Sequence, residues 1–141
     1  MQRPHRLAFD HFGIAVQSIS GSRATYDRLG IASEWTEEVT DPVQAVRIAF
    51  ARIASGGPRI ELVAPAGENS PVQNVLARSR GLSLPYHIAL RTNDIGAALD
   101  FLRTHGSIQL THVSAARAFE GSQIVFVSLK DGLVIELIEE P

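Results

Sequence analysis

Tyr86-His87-Ile88-Ala89-Leu90-Arg91-Thr92 is a strand-like run carrying one imidazole, and it has a counterpart in Asp10-His11-Phe12-Gly13-Ile14-Ala15-Val16. The two histidines align at an offset of 87 − 11 = 76. Continued without a gap, that register places Ile19 on Ile95, Tyr26 on Leu102 and Gly30 on Gly106, then Ile48-Ala49-Phe50 on Ile124-Val125-Phe126. After a deletion of one residue, Arg59-Ile60-Glu61-Leu62-Val63 falls on Val134-Ile135-Glu136-Leu137-Ile138 at an offset of 75. Several blocks held in one register mark an internal repeat.

Each half reads with the same grammar. A strand bearing the histidine comes first, near 8–16 and 85–92, and a helix follows, near 19–29 and 95–104. In the second helix Ile95, Ala98, Leu99 and Leu102 form one apolar face at helical spacing. Asn93 or Asp94 is placed to cap its start, and Gly106 stands just past its end, as Gly30 does in the first half. Ser20-Gly21-Ser22 reads as a helix-start cap rather than as a nucleophile. Three strands complete each half, near 33–39, 45–53 and 59–63, then 108–113, 122–129 and 133–138. Gly56-Gly57-Pro58 and Lys130-Asp131-Gly132 are the turns before the last strand of each half. Between the halves Ser70 and Pro71 open a short helix through Leu76. The expected organisation is a flexible terminus at 1–6 that includes His5, a βαβββ module at 7–64, a linker with a short helix at 65–83, and a second module at 84–141. The class is α+β, a single structural domain in which paired modules form a curled mixed sheet.

Composition narrows the function. A chain of 141 residues with 45% apolar and 20% charged residues is ordinary for a globular domain with a real core. A net charge of −2 leaves no footprint for nucleic acid or an anionic membrane. Without cysteine there is no disulfide, thiolate ligand or cysteine nucleophile, so any metal must be held by nitrogen and oxygen. No apolar stretch approaches membrane-spanning length, and the amino-terminal residues lack a signal core, so a cytoplasmic protein is expected.

The repeated ionisable residues carry the chemistry. A lone histidine in an apolar strand is ordinarily a core residue. A glutamate within Arg-Ile-Glu-Leu-Val or Leu-Val-Ile-Glu-Leu-Ile either points to solvent or is buried and needs a partner, because an unpaired buried charge is costly. Taken together, each half supplies a histidine from its first strand and a glutamate from its last. If those strands share a sheet, a pseudo-twofold would bring His11, Glu61, His87 and Glu136 to one point. Two imidazoles and two carboxylates suit one divalent ion, whether cobalt, nickel, zinc, manganese or iron. Octahedral coordination would leave two positions for water or substrate. Ile48, Phe50, Ile124 and Phe126 alternate in register, and either line an apolar pocket or pack as plain core. Arg47 and Arg117 either meet an anionic group or are solvated surface residues. His105 and His112 have no aligned partner and stay outside the site.

At these residues the chain resembles the vicinal oxygen chelate superfamily, which includes glyoxalase I, methylmalonyl-CoA epimerase and extradiol dioxygenases. The resemblance runs from His11 to Glu139. It implies paired βαβββ modules curled around a metal, with ligands on the first and last strand of each, and His11, Glu61, His87 and Glu136 fall on those positions. The local text looks most like methylmalonyl-CoA epimerases in Asp10-His11-Phe12-Gly13-Ile14-Ala15-Val16, Val46-Arg47-Ile48-Ala49-Phe50, Ile60-Glu61-Leu62-Val63-Ala64-Pro65, Glu68-Asn69-Ser70-Pro71-Val72 and His87-Ile88-Ala89-Leu90. Some epimerases of this group carry an acidic second base where this chain reads Val46-Arg47-Ile48.

The implied chemistry is proton transfer alpha to a carbonyl through a metal-stabilised enolate, with Glu136 as the first choice of base and Glu61 as the second. The implied substrate is a small molecule, with an acyl thioester foremost, and related folds often form homodimers. A glyoxalase I-type isomerase or lyase fits the same ligand set. An iron(II) oxygenase would manage without Glu61. A small-molecule binding or resistance protein on the same fold would commonly lack the ligands.

Overall fold

The computed structural model describes residues 6–140. The expected flexible terminus, His5 included, therefore lies outside the described residues except for Arg6. Contacts gather the chain into two compact units. One is His11–Tyr86; the other joins the described residues up to Asp10 with those from His87 onward. The divisions fall immediately before each histidine of the repeat. Residues 65–86, with the short helix, fall within the first of these units.

The first unit takes its elements in the order β1 (Ala8–Ala15, of which His11 onward belongs here), α1 (Ile19–Leu29), β2 (Ala32–Ser33), β3 (Val39–Asp41), β4 (Val46–Ile53), β5 (Arg59–Pro65) and α2 (Pro71–Arg78). The second has β6 (Leu84–Thr92, from His87), α3 (Ile95–Thr104), β7 (Ile108–Gln109), β8 (Ser114–Ala115), a 3-10 turn at Arg117–Phe119, β9 (Gln123–Ser128) and β10 (Val134–Glu139). The expected α+β class is thus observed, with mixed sheets. In the first unit the strand order is β2-β4-β5-β1, with β3 also on β4. In the second it is β6-β10-β9-β7, with β8 also on β9. In both, the histidine strand runs parallel to the glutamate strand, which runs antiparallel to the strand before it.

Local sequence accounts for the helix ends. Ser18, in extended conformation, caps α1 by accepting from the Gly21 amide at 3.1 Å. The cap thus stands two positions before the expected Ser20-Gly21-Ser22 start, and those residues lie inside the first turns. Asp94 caps α3 by accepting from Ala97, and Ser70 with Pro71 at the first helical position opens α2, which runs two residues beyond Leu76. Gly30 closes α1 at φ 69°, and Gly106 follows α3 at φ 91°.

Strand alternation assigns the faces. In the first unit Val16, Ala49, Leu62 and Ala64 pack with Ile19 of α1, and Ala32, Ala51 and Ile60 extend that core. In the second, Val125, Val127, Ile135 and Leu137 pack with Ile95, Ala98 and Leu102 of α3. The opposite face of each sheet carries His11 and Glu61, or His87 and Glu136.

The strand expected at 33–39 is kept only at its ends, as β2 and β3, and that expected at 108–113 only at Ile108–Gln109, with β8 following beyond it. Trp35 leaves the ladder to pack on α1, its indole N–H donating to Asp27 at 2.6 Å and its ring stacking with Tyr26. Thr36 then returns, donating its amide to the Phe50 carbonyl and accepting the Phe50 amide on its hydroxyl at 2.9 Å. The second unit repeats the device. Leu110 donates to the Phe126 carbonyl, and the Thr111 hydroxyl accepts the Phe126 amide at 3.0 Å. The break is tolerated because a side-chain oxygen replaces the ladder partner of a backbone N–H. The repeat also reaches the backbone before the central strands. Ala45 has φ 56°, and Gly121, 76 residues on, has φ 84°.

Candidate functional site

Register makes the two halves chemically equivalent. In the first unit His11 pairs with Arg59 and Gly13 with Glu61, so Glu61 lies two positions along from the residue opposite His11. In the second, Glu136 pairs with Ala89, again two positions on from His87. A two-residue step returns a side chain to the same face, so histidine and glutamate become diagonal neighbours across a parallel ladder. Gly13 and Ala89 stand between them with little or no side chain. His11 Nε2 lies 3.3 Å from Glu61 Oε1, and His87 Nε2 lies 3.4 Å from Glu136 Oε1. All four residues are buried, none above 3% exposed.

The third position of each row is an aromatic ring. Phe50 pairs with Glu61 across the antiparallel ladder and Phe126 with Glu136. Each ring meets its histidine edge to face, at centroid distances of 5.1 Å for His11 and 5.3 Å for His87. A row of histidine, glutamate and phenylalanine is therefore built twice. The aromatic contacts fix the imidazole planes, so the nitrogen aimed at the carboxylate is positioned before any ligand arrives.

Each pair fits a divalent ion. A direct charge-assisted N–H···O bond closes to about 2.7–2.9 Å, shorter than either distance here. Two ligands each about 2.0–2.2 Å from one ion, and roughly a right angle or slightly more apart, stand roughly 3.0–3.4 Å from each other. Each of the four residues offers one ligand atom, and the donor set is nitrogen and carboxylate oxygen, which suits the first-row divalent metals.

The other expected pocket residues separate. Ile48 is buried on the glutamate face of β4, two positions before Phe50. Ile124 packs with Ala89, Ile138 and Ala116 on the glutamate face of the second unit, where Phe119 and Phe126 complete the cluster. The 3-10 turn thus lies over that face, and Arg117 sits exposed at its start. Arg47 alternates to the other side of β4 from Phe50; it meets Glu38 at 3.6 Å and donates to the Pro65 carbonyl. His105 bonds through Nδ1 with the Phe101 carbonyl at 2.8 Å, and His112 is exposed. A cavity of about 480 Å³ in the first unit is lined by Gln17, Pro65, Gln73, Leu76 and Arg80 and by none of the expected site residues.

Two features were not anticipated. One is the pair Thr36 and Thr111, which stand 75 apart and so one residue out of the register of 76, where Thr36 falls on His112. The other is Arg59, which lies on the glutamate face opposite His11, its guanidinium 4.4 Å from the Phe50 ring centroid. Its aligned residue in the second half is Val134.

Comparisons with known proteins agree with this construction. Residues 10–126 match the family described as the Glyoxalase/Bleomycin resistance protein/Dioxygenase superfamily. The chain is 34% identical over 133 residues to the uncharacterized protein YqjC of Bacillus subtilis, covering 92% of this chain and 90% of that one. The crystal structure of methylmalonyl-CoA epimerase from Mycobacterium tuberculosis superposes with a TM-score of 0.78 at 29% identity, covering 95% of this chain and 88% of that one. A variant of Streptomyces coelicolor methylmalonyl-CoA epimerase in complex with 2-nitronate-propionyl-CoA gives a TM-score of 0.76 at 29% identity, covering 96% and 99%. With a family match over most of its length and the His–Glu pair repeated in register, the chain belongs to the glyoxalase/bleomycin resistance protein/dioxygenase superfamily, as one of its enzymes.

Proposed function

We propose that this enzyme is a metal-dependent epimerase that moves a proton on the carbon alpha to a thioester carbonyl, with methylmalonyl-CoA the first substrate to test. The observation that carries the reading is the buried His–Glu pair built twice in one register, at 3.3 Å and 3.4 Å. His11, Glu61, His87 and Glu136 together hold one divalent ion in this reading. The matched epimerase complexed with 2-nitronate-propionyl-CoA supports an acyl-CoA substrate.

When bound, the ion supplies Lewis acidity that makes the α-proton of the substrate more acidic. The chain supplies the rest. Glu136, ionised, takes the proton on one of its carboxylate oxygens, and Glu61, entering the turnover protonated, delivers its proton to the opposite face of the carbon, as inversion requires; exchange with solvent then resets both groups. His11 and His87 remain as neutral ligands, held by Phe50 and Phe126. The same rings and Ile48 and Ile124 keep water from the carbanion.

The test is solvent-deuterium incorporation at the α-carbon of methylmalonyl-CoA by metal-loaded protein. Exchange is expected with the wild type, with a loss of about 10²–10⁴-fold in Glu136→Gln at unchanged metal content. A protein that holds one metal per chain, gives no exchange and turns over a hemithioacetal would be a glyoxalase-type isomerase instead.

A further inference from the structure

The two units repeat their ligand faces but not the turns that border them. Val39 pairs with Ile48 in the first unit and Ser114 with Ile124 in the second, so the ladders make Val39 and Ser114 equivalent. Two residues further along lie Asp41 and Ala116, both fully buried. The chain then turns back into the next strand, at Val46 opposite Asp41 and at Ser122, whose carbonyl accepts from the Ala116 amide at 3.0 Å. Residues 42–45 make the first turn and 117–121 the second, which is longer by one residue. In the first turn the Asp41 carboxylate accepts the Val43 and Gln44 amides, and Val43 stands 73% exposed. Ala116 has no such group, and the backbone closes the second turn itself. Phe119 and Gly121 donate to the Ala116 carbonyl, Glu120 to that of Arg117 and Ser122 to that of Phe119, at 3.0–3.2 Å. Phe119 thereby packs, as Phe126 does, against the buried cluster of Ala89, Ala116, Ile124 and Ile138. That cluster adjoins Glu136. Phe126 and Ala89 flank Glu136 on either side, and the pair Ile124 and Ile138 lies two residues along on the same face. Both rings stay partly exposed. The first turn, Pro42-Val43-Gln44-Ala45, has no aromatic side chain to offer at its own glutamate.

We propose that Phe119 is a specificity-determining residue that sets how large an apolar group the α-carbon of the substrate can carry. This rests on the reading of Glu136 as the base. A base must stand within about 3 Å of the group it deprotonates, so the α-carbon lies against the Glu136 face of the second unit. Its substituent then meets the side chains that flank Glu136 there. The exposed part of Phe126 gives that substituent an apolar floor from which water is displaced. Phe119, held in a turn whose backbone bonds close on both sides of it, is a wall that yields little. Well-packed apolar surfaces reject added methylenes as firmly as they reward those that fit. A methyl group is accommodated on Phe126, and a longer chain runs into Phe119. The substrate class is therefore an acyl thioester with a short α-substituent.

The experiment is calorimetric titration of metal-loaded protein with propionyl-CoA and with hexanoyl-CoA. The two share the CoA and the thioester and differ only in the α-substituent, a methyl against a butyl group. Wild type, Phe119→Ala and Phe119→Leu are compared, with thermal melts to show that each is folded. Wild type is expected to prefer propionyl-CoA. Phe119→Ala is expected to move the ratio of the two affinities toward hexanoyl-CoA by about tenfold or more, since a single methylene in an apolar pocket is worth about 10- to 200-fold. Phe119→Leu is expected to fall between, and it carries the test if Phe119→Ala does not fold. A merely structural role for Phe119 would lower both affinities alike and leave their ratio unmoved. An unchanged ratio in the folded variants, a wild type that prefers hexanoyl-CoA, or a wild type that binds neither ester overturns the proposal. Neither ester has a stereocentre at the α-carbon, so binding is read without epimerisation. A preference that follows Phe119 in a protein that exchanges no α-proton of methylmalonyl-CoA would sink the epimerase reading and leave this one standing. Exchange with a ratio that ignores Phe119 would do the reverse.

Discussion

At the scale of the residue, the protein turns on a diagonal contact made twice. Removing one member of each pair separates ligation from proton transfer. Glu136→Gln keeps an oxygen donor and loses the base, so metal content is expected to stay near wild type while α-proton exchange falls. His11→Ala removes a buried nitrogen next to a buried carboxylate, and leaving that charge with less compensation is expected to cost about 3–5 kcal/mol of stability. His87→Ala should cost a similar amount, because its burial and distance to Glu136 match those of the other pair. Thermal melts of the two variants test this equivalence, and a difference beyond about 2 kcal/mol would show that the halves are energetically unlike. The four ligand candidates were legible in the sequence because a glutamate inside an aliphatic run conflicts with its surroundings, and the conflict recurs at one offset. Arg59 was not legible. It stands at the start of its strand, where a charged residue conflicts with nothing; only the ladder register with His11 gives it meaning.

At the scale of the element, boundaries were readable wherever a cap or a glycine fixes the backbone. Helices α1 and α3 occupy the expected spans, and α3 is capped by Asp94 as read, whereas Ser18 rather than Ser20 caps α1. Residues 33–39 and 108–113 read as whole strands because their β-forming residues fit an edge strand. Trp35 instead gains more by packing on α1, and threonine hydroxyls fill the gap in the ladder. Thr36→Val should cost about 1–2 kcal/mol, since it strips the Phe50 amide of its acceptor in a part-buried place. Thr111→Val should cost less, because water can reach the Phe126 bond. Chemical denaturation of both variants reads the order directly; equal losses would count against the explanation. The repeat suggests a stabilising change as well. Ala45 holds a left-handed backbone that its counterpart satisfies with glycine. Ala45→Gly is expected to raise stability by about 0.5–1 kcal/mol, a net of relieved strain over lost chain entropy.

At the scale of the whole molecule, folding and metal binding should be linked. Four buried donors drawn from both halves of the sequence cannot be assembled in the unfolded chain, so an ion that binds them stabilises the folded state by mass action. At a hundredfold excess over its dissociation constant the gain is about 2.7 kcal/mol, a rise of roughly 6–12 °C in Tm. Calorimetry with added cobalt or zinc and then with chelator should show that shift appear and reverse. In His11→Ala/His87→Ala the melting point should ignore both additions. A wild type equally indifferent to metal would remove the ion from the account. Among the described residues no helix is long and apolar enough to cross a membrane. The repeat was the one long-range feature the sequence could reveal, because it compares the chain with itself. It says which residues are equivalent, and strand order then says which of them meet within a unit.

The broken strands also bear on how the protein behaves in a crowded solution. A long, regular outer strand displays a row of unpaired amides and carbonyls, on which a stranger's strand can dock and begin a fibre. On the sides of β4 and β9 away from β5 and β10, the described residues supply β2, β3, β7 and β8, each two or three residues long. Between those pieces the Phe50 amide and carbonyl of β4 are met by the Thr36 hydroxyl and amide, and the Phe126 amide and carbonyl of β9 by the Thr111 hydroxyl and the Leu110 amide, so no long regular strand lies outermost. The irregularity is thus a safeguard against self-association. A variant with 34–38 rewritten as alternating valine and threonine should aggregate during refolding at concentrations where the natural chain stays clear.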